Sequence, residues 1–222
     1  MSLSVANNFL FHAFCAIFAG MKRIIALFAA AVCMNFVSAQ TIDSLFVKAP
    51  TDVLPMLDRT ARLNMLDYYN SGMDAIAENT LGGRSVLERK DGSMLRIRTT
   101  DSSVMEIIWL KSSRLILCLH TLQIPAKQTY LELYDESWQK HGVRVPKLTI
   151  KDFLSITDDD YNSEEFQETL KNLSPLHFVM EWSFEKNELV CRLSQERIYK
   201  DDLARIKPHI VEKSFKLYEI TN

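Results

Sequence analysis

An α+β fold is what this sequence predicts: a curved antiparallel sheet, a meander plus a carboxy-terminal hairpin of about seven or eight strands in all, with helices packed on one face. Three observations predict it. Apolar residues recur at intervals of three and four in the segment before Gly82 and Gly83, then alternate in twos after it. The connections that follow are short and rich in serine and glycine, which suits antiparallel hairpins and leaves no room for crossover helices. Near the carboxy terminus a second pair of alternating runs flanks a polar turn.

Residues 41–83 read as mostly helical. Thr51 can cap a short turn through Leu57, distorted by Pro55. Thr60 can cap a longer helix carrying Leu63, Leu66, Asn70 and Met73 at helical spacing, so the Leu63 and Leu66 face is expected to be buried. Gly72 supplies a left-handed residue near its end. Asp91 and Gly92 then separate two alternating runs, 85–90 and 93–100, which predicts a hairpin. Residues 104–110 and 114–122 are apolar at almost every position, as strands covered on both faces are. A turn at Ile124, Pro125, Ala126 and Lys127 leads into a fifth strand over 130–134.

The stretch 141–162 is polar and irregular, with Pro146 and an acidic run at Asp158, Asp159 and Asp160. Asn162 followed by Glu165 has the spacing of a capping box, and Phe166, Leu170 and Leu173 then share one helical face. Residues 176–184 alternate with Phe178, Met180, Trp182 and Phe184 inward, and pair with Leu189, Cys191 and Leu193. Asp201 and Asp202 open a short helix ended by Pro208, and residues 215–220 are expected to close the chain as a strand.

The amino terminus carries a targeting pattern. Met21, Lys22 and Arg23 precede an apolar run to Val32, and Val37, Ser38 and Ala39 place small residues before Gln40, the layout of a cleavable signal peptide. Met21 is the expected start, with residues 1–20 an over-long reading of the gene. Lys22 and Arg23 interrupt the apolar residues, so neither side reaches the roughly 18 positions a membrane helix needs. A lipid anchor at Cys33 is disfavoured because the branched Val32 stands where a small residue belongs. The expected organisation is a leader over 1–39 and a single α+β domain over 40–222, exported to the periplasm or the exterior.

Charge excludes one class of partner. The whole chain carries −2, and losing the two basic residues of the leader makes the remainder more acidic, with no basic face to attract nucleic acid. Only Cys118 and Cys191 lie outside the leader. They form either one disulfide or two buried thiols in separate strands, and spacing alone leaves both open.

The chemistry-bearing constellations each have a plainer reading. Cys118 and His120 leave the same face of a strand, the proximity that activates a thiolate, but Ile116 and Leu122 make that face apolar, and a buried thiol there is inert. Asp158, Asp160, Asn162 and Glu164 have the alternate oxygen spacing of a calcium loop. Ser163 stands where the sharp turn needs glycine and Thr169 where the bidentate glutamate belongs, so an acidic helix start explains them better. His141, His177 and His209 lack a partner at helical spacing that would bind zinc. Gly82 and Gly83 are not followed by the lysine of a phosphate loop, and no serine sits in a nucleophile elbow. No catalytic, cofactor-binding or metal-binding residue is therefore assigned. The late aromatics, among them Trp109, Tyr130, Tyr134 and Trp138, read as core at strand spacing.

Leu66, Asp67, Tyr68, Tyr69, Gly72, Met73, Asn79, Leu81, Gly82, Gly83 and Ser85 resemble the opening block of domain of unknown function 3256, a family of uncharacterised exported proteins of Bacteroidales. Cys118, Thr121, Pro125, Ala126, Leu133, Tyr134 and Trp138 resemble its second block, and Tyr199, Asp202, Ile206 and Pro208 fit its carboxy-terminal plan, while Thr129 replaces an expected serine. The resemblance implies an exported protein and brings no catalytic residues.

Three functional readings follow. The first is a non-enzymatic periplasmic or surface-associated binding module whose partner is an envelope protein or surface ligand. The second is an enzyme whose site is assembled from distant strands, recognisable by a concave pocket with converging, perturbed titratable groups. The third is a protease-inhibitor-like module presenting a rigid loop such as 123–128.

Overall fold

Two short helices and a seven-stranded meander make up the first part of the fold, in a computed structural model that describes residues 40–144, 147–173 and 175–221. The expected leader, with Met21, Cys15 and Cys33, lies outside the described residues, as does Pro146.

Helix α1 (Ile42–Lys48) starts at Thr41, whose hydroxyl accepts from the Ser44 amide at 3.1 Å while the Ser44 hydroxyl accepts from the Thr41 amide, a reciprocal cap. Helix α2 (Arg59–Asn70) is capped by Asp58, which accepts from the Ala61 amide at 2.7 Å. Thr60 lies inside its first turn. The buried stripe is Arg62, Met65 and Leu66, and Leu63 is 40% exposed, so the expected Leu63 and Leu66 face is rotated toward Met65. The reason is Arg62. Its guanidinium, 4% exposed as a residue, donates to the carbonyls of Phe46 and Ala49 and to that of Asp58, closing the end of α1. Trp138 serves the same helix, donating its indole N–H to the Leu45 carbonyl at 3.1 Å.

Strands β1 (Ile76–Glu78), β2 (Arg84–Lys90), β3 (Met94–Thr100), β4 (Ser103–Leu110), β5 (Leu115–Leu122), β6 (Gln128–Asp135) and β7 (Lys140–His141) pair antiparallel in sequence order. The connection before β2 turns on Asn79. Its side chain accepts from the amides of Leu81 and Gly83 and donates to the Thr99 carbonyl, and Gly82 takes φ +76°. A Cβ at Gly83 would lie 3.2 Å from the Asn79 amide nitrogen, so the double glycine is a turn device.

The sheet has two covered faces over β4 and β5. Met105, Ile107, Ile116 and Cys118 turn toward α1 and α2 with Leu95, Ile97, Leu45, Phe46 and Met65. Ile108, Leu110, Leu117 and Leu119 turn the other way, into a cluster with Phe153, Met180, Trp182, Leu189 and Cys191. On β3 the second face is covered at Met94 and open beyond it. Arg96 and Arg98 point there and pair with Glu88, and Arg96 also with Glu106. This explains why residues 104–110 and 115–119 are nearly continuous in apolar character while β3 alternates.

The second layer is a three-stranded antiparallel sheet, β8 (Phe178–Ser183), β9 (Glu188–Leu193) and β10 (Lys213–Lys216), in the order β10-β9-β8. Around it lie the 3-10 turn Ile150–Phe153, helices α3 (Asp158–Tyr161), α4 (Glu164–Asn172) and α5 (Lys200–Ile206), and the 3-10 turn Lys207–His209. The fold is thus α+β, antiparallel and not closed, with the carboxy-terminal hairpin in its own sheet. Ser163, not Asn162, caps α4 by accepting from the Phe166 amide. Phe184 is 48% exposed beyond the hairpin's inward set. The expected closing strand over 215–220 is shorter. After β10 the chain turns into α6 (Leu217–Ile220), because the Glu219 carboxylate accepts from the Lys216 amide at 2.6 Å and Ile220 is buried.

Urea denaturation checks these roles. Leu117→Ala, at a fully buried position, is expected to cost about 3 kcal/mol. Arg62→Met, which strands the buried Ala49 carbonyl and takes one of two donors from that of Phe46, is expected to cost about 1 to 3 kcal/mol, and Arg96→Ala on the open face less than about 1 kcal/mol.

Candidate functional site

Strand period places Cys118, His120 and Leu122 of β5 on one face, and the register sets Cys118 opposite Glu132, His120 opposite Tyr130, and Met105 of β4 opposite His120. This is the face that α1 and α2 cover. Toward the Leu122 end the helices give out, and residues 52–56 stand across from the sheet. The gap is a half-open cavity of about 640 Å³, lined by Val53, Leu54, Met56, Met105 and Leu122 with Asp52, Thr99, Thr100, Ser103, His120, Tyr130 and Glu132 among them.

Both walls are tied down. The Thr80 amide donates to the Met56 carbonyl at 3.1 Å and the Thr80 hydroxyl to the Pro55 carbonyl at 3.0 Å, fixing the 52–56 wall to the Asn79 turn. At the end of β3 the register slips between Arg98 and Thr100. The slip gathers the hydroxyls of Thr99, Thr100 and Ser103 at 2.7 Å separations, while Ser85 donates to the Thr99 carbonyl.

Glu132 organises the charge. Tyr134 donates its phenolic O–H to one carboxylate oxygen at 2.9 Å and the Lys140 ammonium donates to the other. The Lys140 hydrogen bond holds the Glu132 carboxyl below its ordinary range against the opposing effect of burial. Burial, then the bond to Glu132, pushes the Tyr134 phenol up. Burial pushes the His120 imidazole down, and the nearby Glu132 charge offsets part of that. At neutral pH the wall therefore presents one fixed carboxylate beside a neutral imidazole.

Cys118 and His120 do share this face, as their spacing predicts, but Cys118 is 1% exposed. Burial and then Glu132 push its thiol far up, so it stays protonated and is a poor nucleophile. Cys191 is also free and buried, its thiol pushed up to about 12 by burial. The two thiols belong to different clusters, Cys118 on the helix side of the large sheet and Cys191 in the second layer.

The other constellations are dispersed. Asp158 and Asp160 sit in the first turn of α3, where Asp158 meets Lys151 and Asp160 meets the Thr157 hydroxyl. Among the described residues, no three His, Cys, Asp or Glu side chains are placed to hold a metal ion. His141 lies on β7, the His177 carbonyl accepts from the Ser194 amide, and His209 packs edge-on to Phe166 at 6.5 Å. In the loop 123–128, Ile124 is 71% exposed while Ala126 is buried, and Lys127 is held by Glu196 through both its amide and its side chain.

Glu132 and Asp52 escape a reading of the sequence, and Tyr130, expected in the core from its strand spacing, is 53% exposed at the cavity. The even numbering of Tyr130, Glu132 and Tyr134 along one strand was the available signal, but joining it to His120 needs the register between β5 and β6. The arrangement can bind a small molecule against apolar walls and orient it by a neutral imidazole, hydroxyls and a carboxylate. It can also use His120 as a base beside Glu132.

An NMR titration of His120 is expected to give a pKa below 6.5, and Glu132→Gln to lower it further, because the carboxylate favours the imidazolium. A value that rises in Glu132→Gln contradicts this electrostatic account.

Comparison with known proteins bears on family and fold. A domain of an uncharacterized protein from Porphyromonas gingivalis W83 shares the fold with a TM-score of 0.60 at 18% identity, covering 78% of this chain and 90% of that one. No curated protein matches the chain. The model for the family described as Protein of unknown function (DUF3256) matches residues 34–221, and the chain belongs to that family.

Proposed function

We propose that this is an exported binding module that takes a small molecule in the cavity between residues 52–56 and the ends of β3 to β6. The observation that carries the reading is the cavity itself. Its volume, about 640 Å³, falls in the range of small-molecule sites, and its walls are mostly apolar with a few polar groups held on strands. Glu132 already has two donors and Cys118 is protonated, so the polar groups are suited to orienting a ligand and the site lacks an activated thiol.

A second reading has its own support. His120 is half-buried and close enough to Glu132 for the carboxylate to act on its titration, which is the converging, perturbed pair expected of an acid and base site. In that case His120→Ala removes turnover of a substrate while leaving its binding. Under the binding reading there is no turnover to remove. The loop 123–128 exposes only Ile124 and Pro125 before Ala126 turns inward, which is short for the extended segment a protease holds.

Export rests on the leader pattern over 1–39. Amino-terminal sequencing of the processed protein is expected to begin at Gln40, and a lipid-modified Cys33 at the start would overturn a freely diffusing module. For the cavity, the neutral fluorophore N-phenyl-1-naphthylamine is expected to brighten on mixing with the protein and to lose at least tenfold in affinity in Leu122→Trp, which fills the mouth, about 1.4 kcal/mol. Absence of any fluorescence change in the unsubstituted protein, or undiminished binding in a folded Leu122→Trp, counts against the reading.

A further inference from the structure

Resting on the reading of this cavity as a small-molecule site, we infer that its ligands carry a positive head, an ammonium or guanidinium group, on an apolar body. Among the described residues, the cavity is lined by two carboxylates, Asp52 and Glu132, and by no lysine or arginine. Asp52 stands on the exposed turn at the mouth, on the wall facing the sheet, and Glu132 lies on the sheet itself. Between and around them the surfaces of Val53, Leu54, Met105 and Leu122 suit an apolar body.

One cation offsets part of this field. Lys140 pairs with Glu132 from β7 and lies near enough to Asp52 for the two charges to act on each other, but it does not line the cavity, so two carboxylates stand against one exposed ammonium outside it. Among the described residues no lysine or arginine comes within ion-pairing distance of Asp52, and the Lys140 charge reaches it only from farther away. His120 faces Met105, Tyr130 and Glu132 and is held uncharged by burial, so it adds no positive charge at neutral pH. Its neutral ring and the hydroxyls of Thr100 and Ser103 can accept from the N–H groups of such a head. An anionic head would instead meet two carboxylates and no lysine or arginine of the described lining, and like charges repel.

Three probes with one body separate charge from burial: n-octylammonium, 1-octanol and octanoate, titrated calorimetrically into the full chain at pH 7.5. The ammonium is expected to bind about tenfold more tightly than the alcohol, the size of one charge-assisted hydrogen bond, with octanoate weakest. Asp52→Asn, a change at an exposed position, is expected to shrink the ammonium advantage to about threefold while leaving 1-octanol unchanged, and Glu185→Gln, on the distant hairpin turn, to change neither. Equal affinity for the ammonium and the alcohol, or tightest binding of octanoate, overturns the charge preference and leaves the small-molecule reading standing. Failure of all three to bind overturns both.

Discussion

Strands β4 and β5 are buried from both sides, and this double cover sets the register of the large sheet. Ile107 and Ile116 go to the helix side, and Ile108 and Leu117 to the small-sheet side, each 0% or 1% exposed. Each fully buried side chain of this kind contributes about 1.5 to 3 kcal/mol of apolar transfer. A slip of one residue in either strand would exchange the two sets, and both layers would lose their fit. The register is therefore fixed at the centre, while the outermost strands, β1 and β7, are only three and two residues long. Short edges also limit the backbone available for pairing with another chain.

The cavity follows from how that centre is covered. On the helix side, α1 is held by Arg62 and Trp138, whose donors meet the carbonyls of Leu45, Phe46 and Ala49 at the end of the helix, that of Phe46 alongside the Ala49 amide. The cover ends there, and beyond it the chain passes through the 52–56 turn, pinned by Thr80. The strands continue past the cover. Residues that would be core further along the same face, His120 and Glu132 among them, line a space instead, and the polar ones are tolerated because Lys140 and Tyr134 satisfy the carboxylate.

Much of the fold can be read before the structure is seen. Asp91 and Gly92 mark the β2 to β3 hairpin, the continuous apolar runs mark the doubly covered strands, and Gly72 takes the left-handed conformation at φ +72°. Where the reading and the structure part, tertiary partners decide. Arg62 looks like a solvent-facing residue of α2 until the carbonyls of α1 meet it, and this turns Leu63 outward. Leu217 and Ile220 fit a strand or a helical turn equally well, and the Glu219 cap selects the turn. The resemblance blocks fall largely on such devices, with Asn79, Gly82 and Gly83 building a turn and Trp138 and Ile206 packed inside. Of the candidate site, only the shared face of Cys118 and His120 is visible in sequence. Its third member, Glu132, depends on pairing between strands, and the opposite wall on a contact between Thr80 and Pro55 across 25 positions.

Amide hydrogen exchange reads the double cover of β4 and β5 strand by strand. If β4 and β5 are the doubly covered centre and form a rigid floor for the cavity, amides of residues 104–108 and 116–120 exchange only with global unfolding and are the slowest in the protein, ahead of β1, β7 and α4. Exchange of β5 as fast as that of α4 would rule out a doubly covered centre, because the strand carrying Cys118 and His120 would then open without the rest of the fold.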